Sequence, residues 1–509
     1  MARPKRLSGT CDPRLAVMWG CVAALCARGT IAPAQVLANS GAPQPEEQVE
    51  VLRLHGWPAA EPKPALKYRF LVPPVDQIHG NAATYVYKSM IFSGPDLLRE
   101  LGKLNDSEEI DGWLEAPLAE LPQAEILGKA HWLSVRDAWT SLRDAARCDR
   151  CDWGEPIREQ GADTLLPQTQ RMRDIGRGIA LKTRLLIAQG NYDEAVAALG
   201  VGYALTRNLG HGCLGQSLVG MAIEGVLDEQ TRTIITAEGS PNLYWALTDL
   251  AKQPVDLREA LSYEAHTWEF TVHELSDLER SPLTNEEAAS LADKVWSAVG
   301  RMRVENRGKP AKSPAEIVAW ATELFPEAKG YLLEHGYTAE GLDAFPALQV
   351  VLIYRWKQYL ELRDEYLKWG YLPDYQARRS GQDGAEKQIE RGVGGPFSQR
   401  GIPFNEALSG LRGPLNTQLK YRRQIDLLRT IEALRMYAAE HGRFPDKLED
   451  VTAVPIPRDP YTNKPFEYSG GGGVAVLSTP HDETWTVKAG AARYELELRQ
   501  SAKQDNAKK

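Results

Sequence analysis

The sequence predicts a mostly α-helical protein, a repeat-like array of helix hairpins followed by a small C-terminal α+β module. Three observations predict it. Between about residues 76 and 375 apolar residues recur at helical spacing, interrupted by short turns bearing Gly, Asn or Pro. Near the C-terminus the spacing changes to alternation, in short segments around Gly470 to Gly473. Stretches rich in Pro and Gly at 39–64 and 376–416 read as linkers or irregular loops that set these regions apart.

Taken in order, residues 1–38 read as a secretory signal. Arg3, Lys5, Arg6 and Arg14 form a positive start, Leu15 to Ala27 an apolar middle, and Ala32-Pro33-Ala34 and Val36-Leu37-Ala38 offer small-residue cleavage patterns near 34–38. The apolar middle is shorter than the roughly 20 residues a bilayer span needs, and no later segment reaches that length. No membrane span is expected after cleavage; a retained signal would act as an anchor. Residues 39–64, rich in Ala, Pro and Glu, read as a disordered linker. Leu66, Tyr68 and Phe70 alternate as a short strand would, before Pro73-Pro74.

The helical domain is expected over 65–375. Gly190-Asn191 separates two apolar-periodic runs, Ile179 to Ala188 and Tyr192 to Leu205, giving a helix hairpin with Ala195 and Ala198 at the close approach. A further helix runs through Gly220 to Leu227 and ends near Gly239. Ser240 and Pro241 then start the next as N-cap and N1, and Pro254 breaks it. Asp256 caps a long helix to about Leu278 with Leu257, Leu261, Trp268, Val272 and Leu275 on one face. Helices around 313–325 and 338–370 follow. The module over 417–500 opens with a helix from about Thr417 to Glu440, closed by Gly442 at the C′ position. Strands are expected at Pro465–Tyr468, Val474–Ser478, and either Thr484–Val487 or Tyr494–Leu498. A disordered tail occupies 501–509.

Composition narrows the function. The net charge of −8 becomes −12 once five basic residues and one acid leave with the first 34. An acidic chain without a basic stripe excludes nucleic acid as an expected partner. No phosphate-binding or dinucleotide glycine fingerprint and no nucleophile elbow appears, so no catalytic residue and no cofactor is assigned.

Two constellations carry candidate chemistry. On a helix starting at Asp256, His266, Glu269 and His273 fall at 180°, 120° and 160° from Leu257, at 100° per residue. Two imidazoles and a carboxylate on one stripe suit zinc; the same stripe also reads as a solvated polar face. Cys148-Asp-Arg-Cys151 is a CxxC, and Cys213 completes three cysteines past the signal. A redox pair, a zinc site with His211, and a structural disulfide compete. The disulfide Cys151–Cys213 is preferred over Cys148–Cys151 because a CxxC ring is small and strained.

Three resemblances add to this. Gln189-Gly190-Asn191-Tyr192-Asp193-Glu194-Ala195 resembles the inter-helix turn of a degenerate tetratricopeptide repeat, with its Gly, Tyr and Ala at that family's spacing. Ala433, Tyr437, Gly442, Pro445 and Leu448, followed by Asp459-Pro460 and Pro465-Phe466-x-Tyr468, resemble the globular part of type II secretion pseudopilins. There the assembly helix opens the chain, whereas here it lies mid-chain, which implies a borrowed fold element. Cys151-Asp-Trp-Gly154, Gly239 to Leu250 and the Gly442-to-Tyr468 block resemble a family of exported proteins from planctomycete-type bacteria, implying architecture and export but no activity. The expectation is an exported protein of the periplasm or cell envelope that binds a protein partner, non-enzymatic and scaffolding. The alternative is a metal-dependent hydrolase of envelope polymers acting through His266, Glu269 and His273.

Overall fold

The computed structural model describes residues 50–499 except 167, 252–254, 303–311, 383, 386–402, 410 and 482–490. The expected signal at 1–38, the first part of the 39–64 stretch, Pro254, the strand option at 484–487 and the expected tail at 501–509 lie outside the described residues. The fold is mostly helical with a small mixed four-stranded sheet near the C-terminus. Among the described residues no helix is long and apolar enough to cross a membrane.

Strand β1 (Glu50–Gly56) opens the described chain, and β2 (Ile78–Asn81) leads into α1 (Ala82–Asn105). Helices α2 (Glu108–Glu115), α3 (Gln123–Lys129) and α4 (Arg136–Arg147) follow, and β3 (Cys148–Arg150) pairs in parallel with β2. The expected hairpin is α5 (Thr169–Ala188) and α6 (Tyr192–Leu209). Between them Gly190 adopts φ of 70°, a conformation that glycine takes without Cβ strain, and its N–H and that of Asn191 satisfy the carbonyls of Ile187 and Leu186. Helix α7 (Leu214–Ile235) packs on both, α4 lies against α6, and α1 against α4, so consecutive helices form an array.

Helix α8 (Tyr244–Leu250) starts three residues after the expected Ser240-Pro241 cap. The Ser240 hydroxyl and carbonyl are occupied by Arg435, and the Asn242 side chain receives the Tyr244 N–H instead. Asp256 caps α9 as expected, but the long helix breaks into α9 (Leu257–Ala265), α10 (Thr267–Thr271) and a 3-10 turn at His273–Asp277. Distant groups break it. Tyr359 donates its hydroxyl to the Ala265 carbonyl at 2.6 Å, and Trp268 turns inward to donate its indole N–H to the Phe404 carbonyl at 2.7 Å. Helices α11 (Asn285–Met302), α12 (Pro314–Glu334, with a Ser313/Glu316 capping box), α13 (Ala339–Asp343) and α14 (Ala347–Leu367) complete the body. Pro346 divides the expected 338–370 helix because it lacks the N–H that would continue the ladder.

Helix α15 (Arg412–His441) is longer than expected and ends at Gly442 in the left-handed conformation. Strands β4 (Glu467–Gly471), β5 (Val474–Ser478) and β6 (Ala492–Leu498) form an antiparallel meander, and β1 adds in parallel to β6 in the order β1-β6-β5-β4. The linker reading of 39–64 therefore fails at 50–56. Leu52 and Leu54 alternate with Arg53 and His55, and pairing with β6 half-buries the leucines. The alternation at Leu66, Tyr68 and Phe70 forms no strand. Phe70 is buried against the Tyr203 ring at 5.1 Å, while Tyr68 donates to Asp193.

Two cores result. The first joins α1–α8, α15 and the sheet, through residues such as Ile179, Leu199, Leu227, Leu428, Leu434 and Tyr494. The second joins α9–α14 around Trp268, Trp296, Trp320, Ile353 and Phe404, and α7 contributes to both.

Candidate functional site

The break at His266 decides the fate of the proposed metal stripe. His266 caps α9 and donates from Nδ1 to the Ser262 carbonyl at 2.7 Å. His273 sits on the following 3-10 turn and donates from Nδ1 to the Glu269 carbonyl at 2.9 Å. The Glu269 carboxylate takes Nη1 of Arg363, on α14, at 2.6 Å, so it ties α10 to α14. The continuous helix that would have aligned the three is absent, and among the described residues no group of three His, Cys, Asp or Glu side chains could hold a metal ion. His266 and Glu269 do share an open cleft of about 600 Å³ floored by Trp356 and Leu360, with Asp277, Glu279 and Arg280 at its rim; His273 lies outside it. Glu279 is already bound by Lys357 and Tyr337. The cleft is an open surface furrow with its central carboxylate neutralised by Arg363.

The cysteines are not bonded to one another, so the expected Cys151–Cys213 disulfide is absent here. Cys148, Cys151 and Cys213 are free thiols in this structure, with Cys148 starting β3 and Cys213 capping α7. Burial pushes Cys151 up to about 12 and Cys213 up to about 11, so neither is an activated thiolate.

A second cleft, of about 350 Å³, lies on the array itself. Leu133 and Ser134, on the 3-10 turn His131–Ser134, and Arg136, Trp139 and Arg143 of α4 form one side. Lys182 and Leu186 of α5, with Glu194, Ala197, Ala198 and Val201 of α6, form the other. Helical spacing puts these on facing sides: 136, 139 and 143 on one stripe of α4, 194, 197, 198 and 201 on one stripe of α6. Lys182 is the distinctive group. Its ammonium lies 4.3 Å from the centroid of the Trp139 ring, donates to the Leu133 carbonyl at 3.1 Å, and is held below its ordinary pKa by burial. Sequence reasoning passed over this site because its walls come from three helices. The stripe Arg136-x-x-Trp139-x-x-x-Arg143 was the legible signal.

No protein-family model, no curated protein and no solved structure matches this chain.

Proposed function

We propose that the protein is a non-enzymatic interaction or scaffolding component of the bacterial cell envelope that acts by binding another protein. The observation that carries this reading is the cleft between α4, α5 and α6, a concavity opened by consecutive packed helices and lined by aliphatic, aromatic and basic side chains. The turn at Gly190, which resembles that of a degenerate tetratricopeptide repeat, supports the same reading, since arrays of helix pairs make extended grooves suited to peptides, as does the pseudopilin-like sequence of the C-terminal unit. The envelope location rests on the signal-like residues 1–38. The test is in vivo crosslinking of the tagged, full-length protein followed by mass spectrometry. A reproducible envelope partner is expected. A clean monomer without a partner, or a purified protein that carries stoichiometric metal and hydrolyses an envelope polymer, would overturn the reading.

A further inference from the structure

Taking protein binding as the function, we infer that the cleft between α4, α5 and α6 receives an acidic peptide segment, in which two carboxylates flank an apolar or aromatic side chain. The argument is charge complementarity around an apolar floor. The chain as a whole is acidic, with a net charge of −8, yet this cleft gathers Arg136, Arg143 and Lys182 against one carboxylate, Glu194. Three arginines elsewhere on the same array are matched to acids: Arg177 to Asp111, Arg171 to Asp174, Arg232 to Glu229. Among the described residues Arg136, Arg143 and Lys182 form no ion pair, and Glu194 is the acid that shares their cleft. The Lys182 ammonium donates to the Leu133 backbone carbonyl at 3.1 Å. The Lys182 ammonium is half-buried over the Trp139 ring, with Glu194 the carboxylate whose field reaches it and Arg143 opposing, so an arriving anion adds to a site that carries a net positive charge.

The floor decides what kind of anion. Leu133, Trp139, Leu186, Ala197, Ala198 and Val201 give an apolar wall for which a bare inorganic anion has no use. A side chain such as Phe or Leu fills that wall, while the exposed guanidinium groups of Arg136 and Arg143 clasp carboxylates on either side of it. Glu194 repels a continuous polyanion threading the groove, and it pairs instead with a cation further along a peptide of mixed charge. At about 350 Å³ the space fits two or three side chains.

The test is fluorescence polarisation on the full-length protein at low salt. The probe is a labelled ten-residue peptide carrying two glutamates around one phenylalanine. Saturable binding is expected, weakened by about tenfold or more, or about 1.4 kcal/mol, in the paired variant Arg136→Glu/Arg143→Glu and with the glutamine counterpart of the peptide. Both arginines are exposed, so the pair should melt with the parent; Lys182→Met is the second variant and should also weaken binding. Equal affinity for the glutamine peptide, no binding at millimolar peptide, or preferential displacement by heparin or polyphosphate would each overturn the inference. A photocrosslinking residue at Ala197, on the cleft wall, separates this inference from the broader reading. If the cellular partner is still recovered by the charge-reversed pair and never crosslinks at Ala197, the cleft assignment fails and protein binding stands. If no partner is recovered at all, protein binding fails, and the peptide titration alone decides the cleft.

Discussion

Replacing Arg435 with Met should loosen the joint that holds the N-terminal strand to the body. Arg435, on α15, is 1% exposed and Glu432 beside it is fully buried. The guanidinium donates to both Glu432 carboxylate oxygens at 2.9 and 3.0 Å, to the Trp57 carbonyl at 2.8 Å, and to the Ser240 carbonyl and hydroxyl at 3.1 and 2.9 Å. Asn242 closes the knot by donating to the carbonyls of Ala59 and Glu432. Removing one partner of a buried pair costs about 3–5 kcal/mol, because the other charge is left without solvent or counterion. That corresponds to a fall of roughly 5–10 °C in the transition that melts the first core. Burial raises the Glu432 carboxyl and the guanidinium pulls it back. Without Arg435 it protonates more readily, so the penalty should be smaller at pH 5.5 than at pH 8. Replacing both residues, Arg435→Met with Glu432→Leu, should recover most of the loss, since apolar packing substitutes for a buried pair at little cost. Calorimetry and hydrogen exchange read this out, with faster exchange in 50–59 and 240–244 in the single variant. A single variant that melts within a degree of the parent, or a double variant less stable than the single, would refute the reasoning.

Three further outcomes are expected. Asp228 is buried, accepts the Tyr203 hydroxyl at 2.7 Å, and has its other carboxylate oxygen without a partner; burial raises it to about 7, and Glu224 one turn earlier is raised well above its ordinary value. The folded state then keeps protons that the unfolded chain loses near pH 4, so stability should fall by a few kcal/mol (on the order of 3) from pH 4 to pH 7; Asp228→Asn should flatten that slope in denaturant titrations, and stability rising over this range would contradict it. Gly200→Ala should destabilise by about 1–3 kcal/mol, because the new Cβ would meet the Phe70 carbonyl oxygen at 2.7 Å, and backbone cannot step aside as a flexible side chain can; an unchanged melting temperature would contradict the packing of the 65–70 segment on α6. Native protein at pH 8 should react slowly with a thiol reagent, because burial keeps Cys151 and Cys213 protonated, and Cys148, Cys151 and Cys213 should all titrate on unfolding without reductant; titration of Cys148 alone would establish the Cys151–Cys213 disulfide instead.

What was legible in the sequence was local. The α5–α6 hairpin is written in Gly190-Asn191 and the apolar stripes on either side, the end of α15 in Gly442, and the β4–β5 hairpin in alternation around a glycine run. Each depends on residues within a few positions of one another. The misread features depend on distant partners. β1 is ordered by β6, more than 400 positions away, so Leu52 and Leu54 sat unread in a Pro-rich context. The helix after Asp256 stops at His266 because Tyr359 and Phe404 claim its backbone and its tryptophan, and with it went the alignment of His266, Glu269 and His273. The basic cleft needed α4 beside α6, a pairing that no local periodicity specifies.

The placement of α15 bears on the proposed binding function. In a filament-forming subunit an assembly helix must offer an apolar stripe to other copies. Here Ile425, Leu428, Ile431, Leu434 and Ala438 are all buried, and so are Leu427, Ala433 and Met436 on other sides of the same helix. Those side chains pack in the first core, with α15 against α7 and α8. Freeing that stripe would mean breaking the Arg435 knot and exposing a core, at a cost of many kcal/mol. Moreover, the sheet that follows α15 is completed by β1 from the other end of the described chain, so it cannot detach without unpairing that strand. Under the proposed function, contacts with a partner therefore have to use surfaces that are exposed in the folded state, and among these the cleft of Trp139 and Lys182 combines a concave apolar floor with three cations set against Glu194.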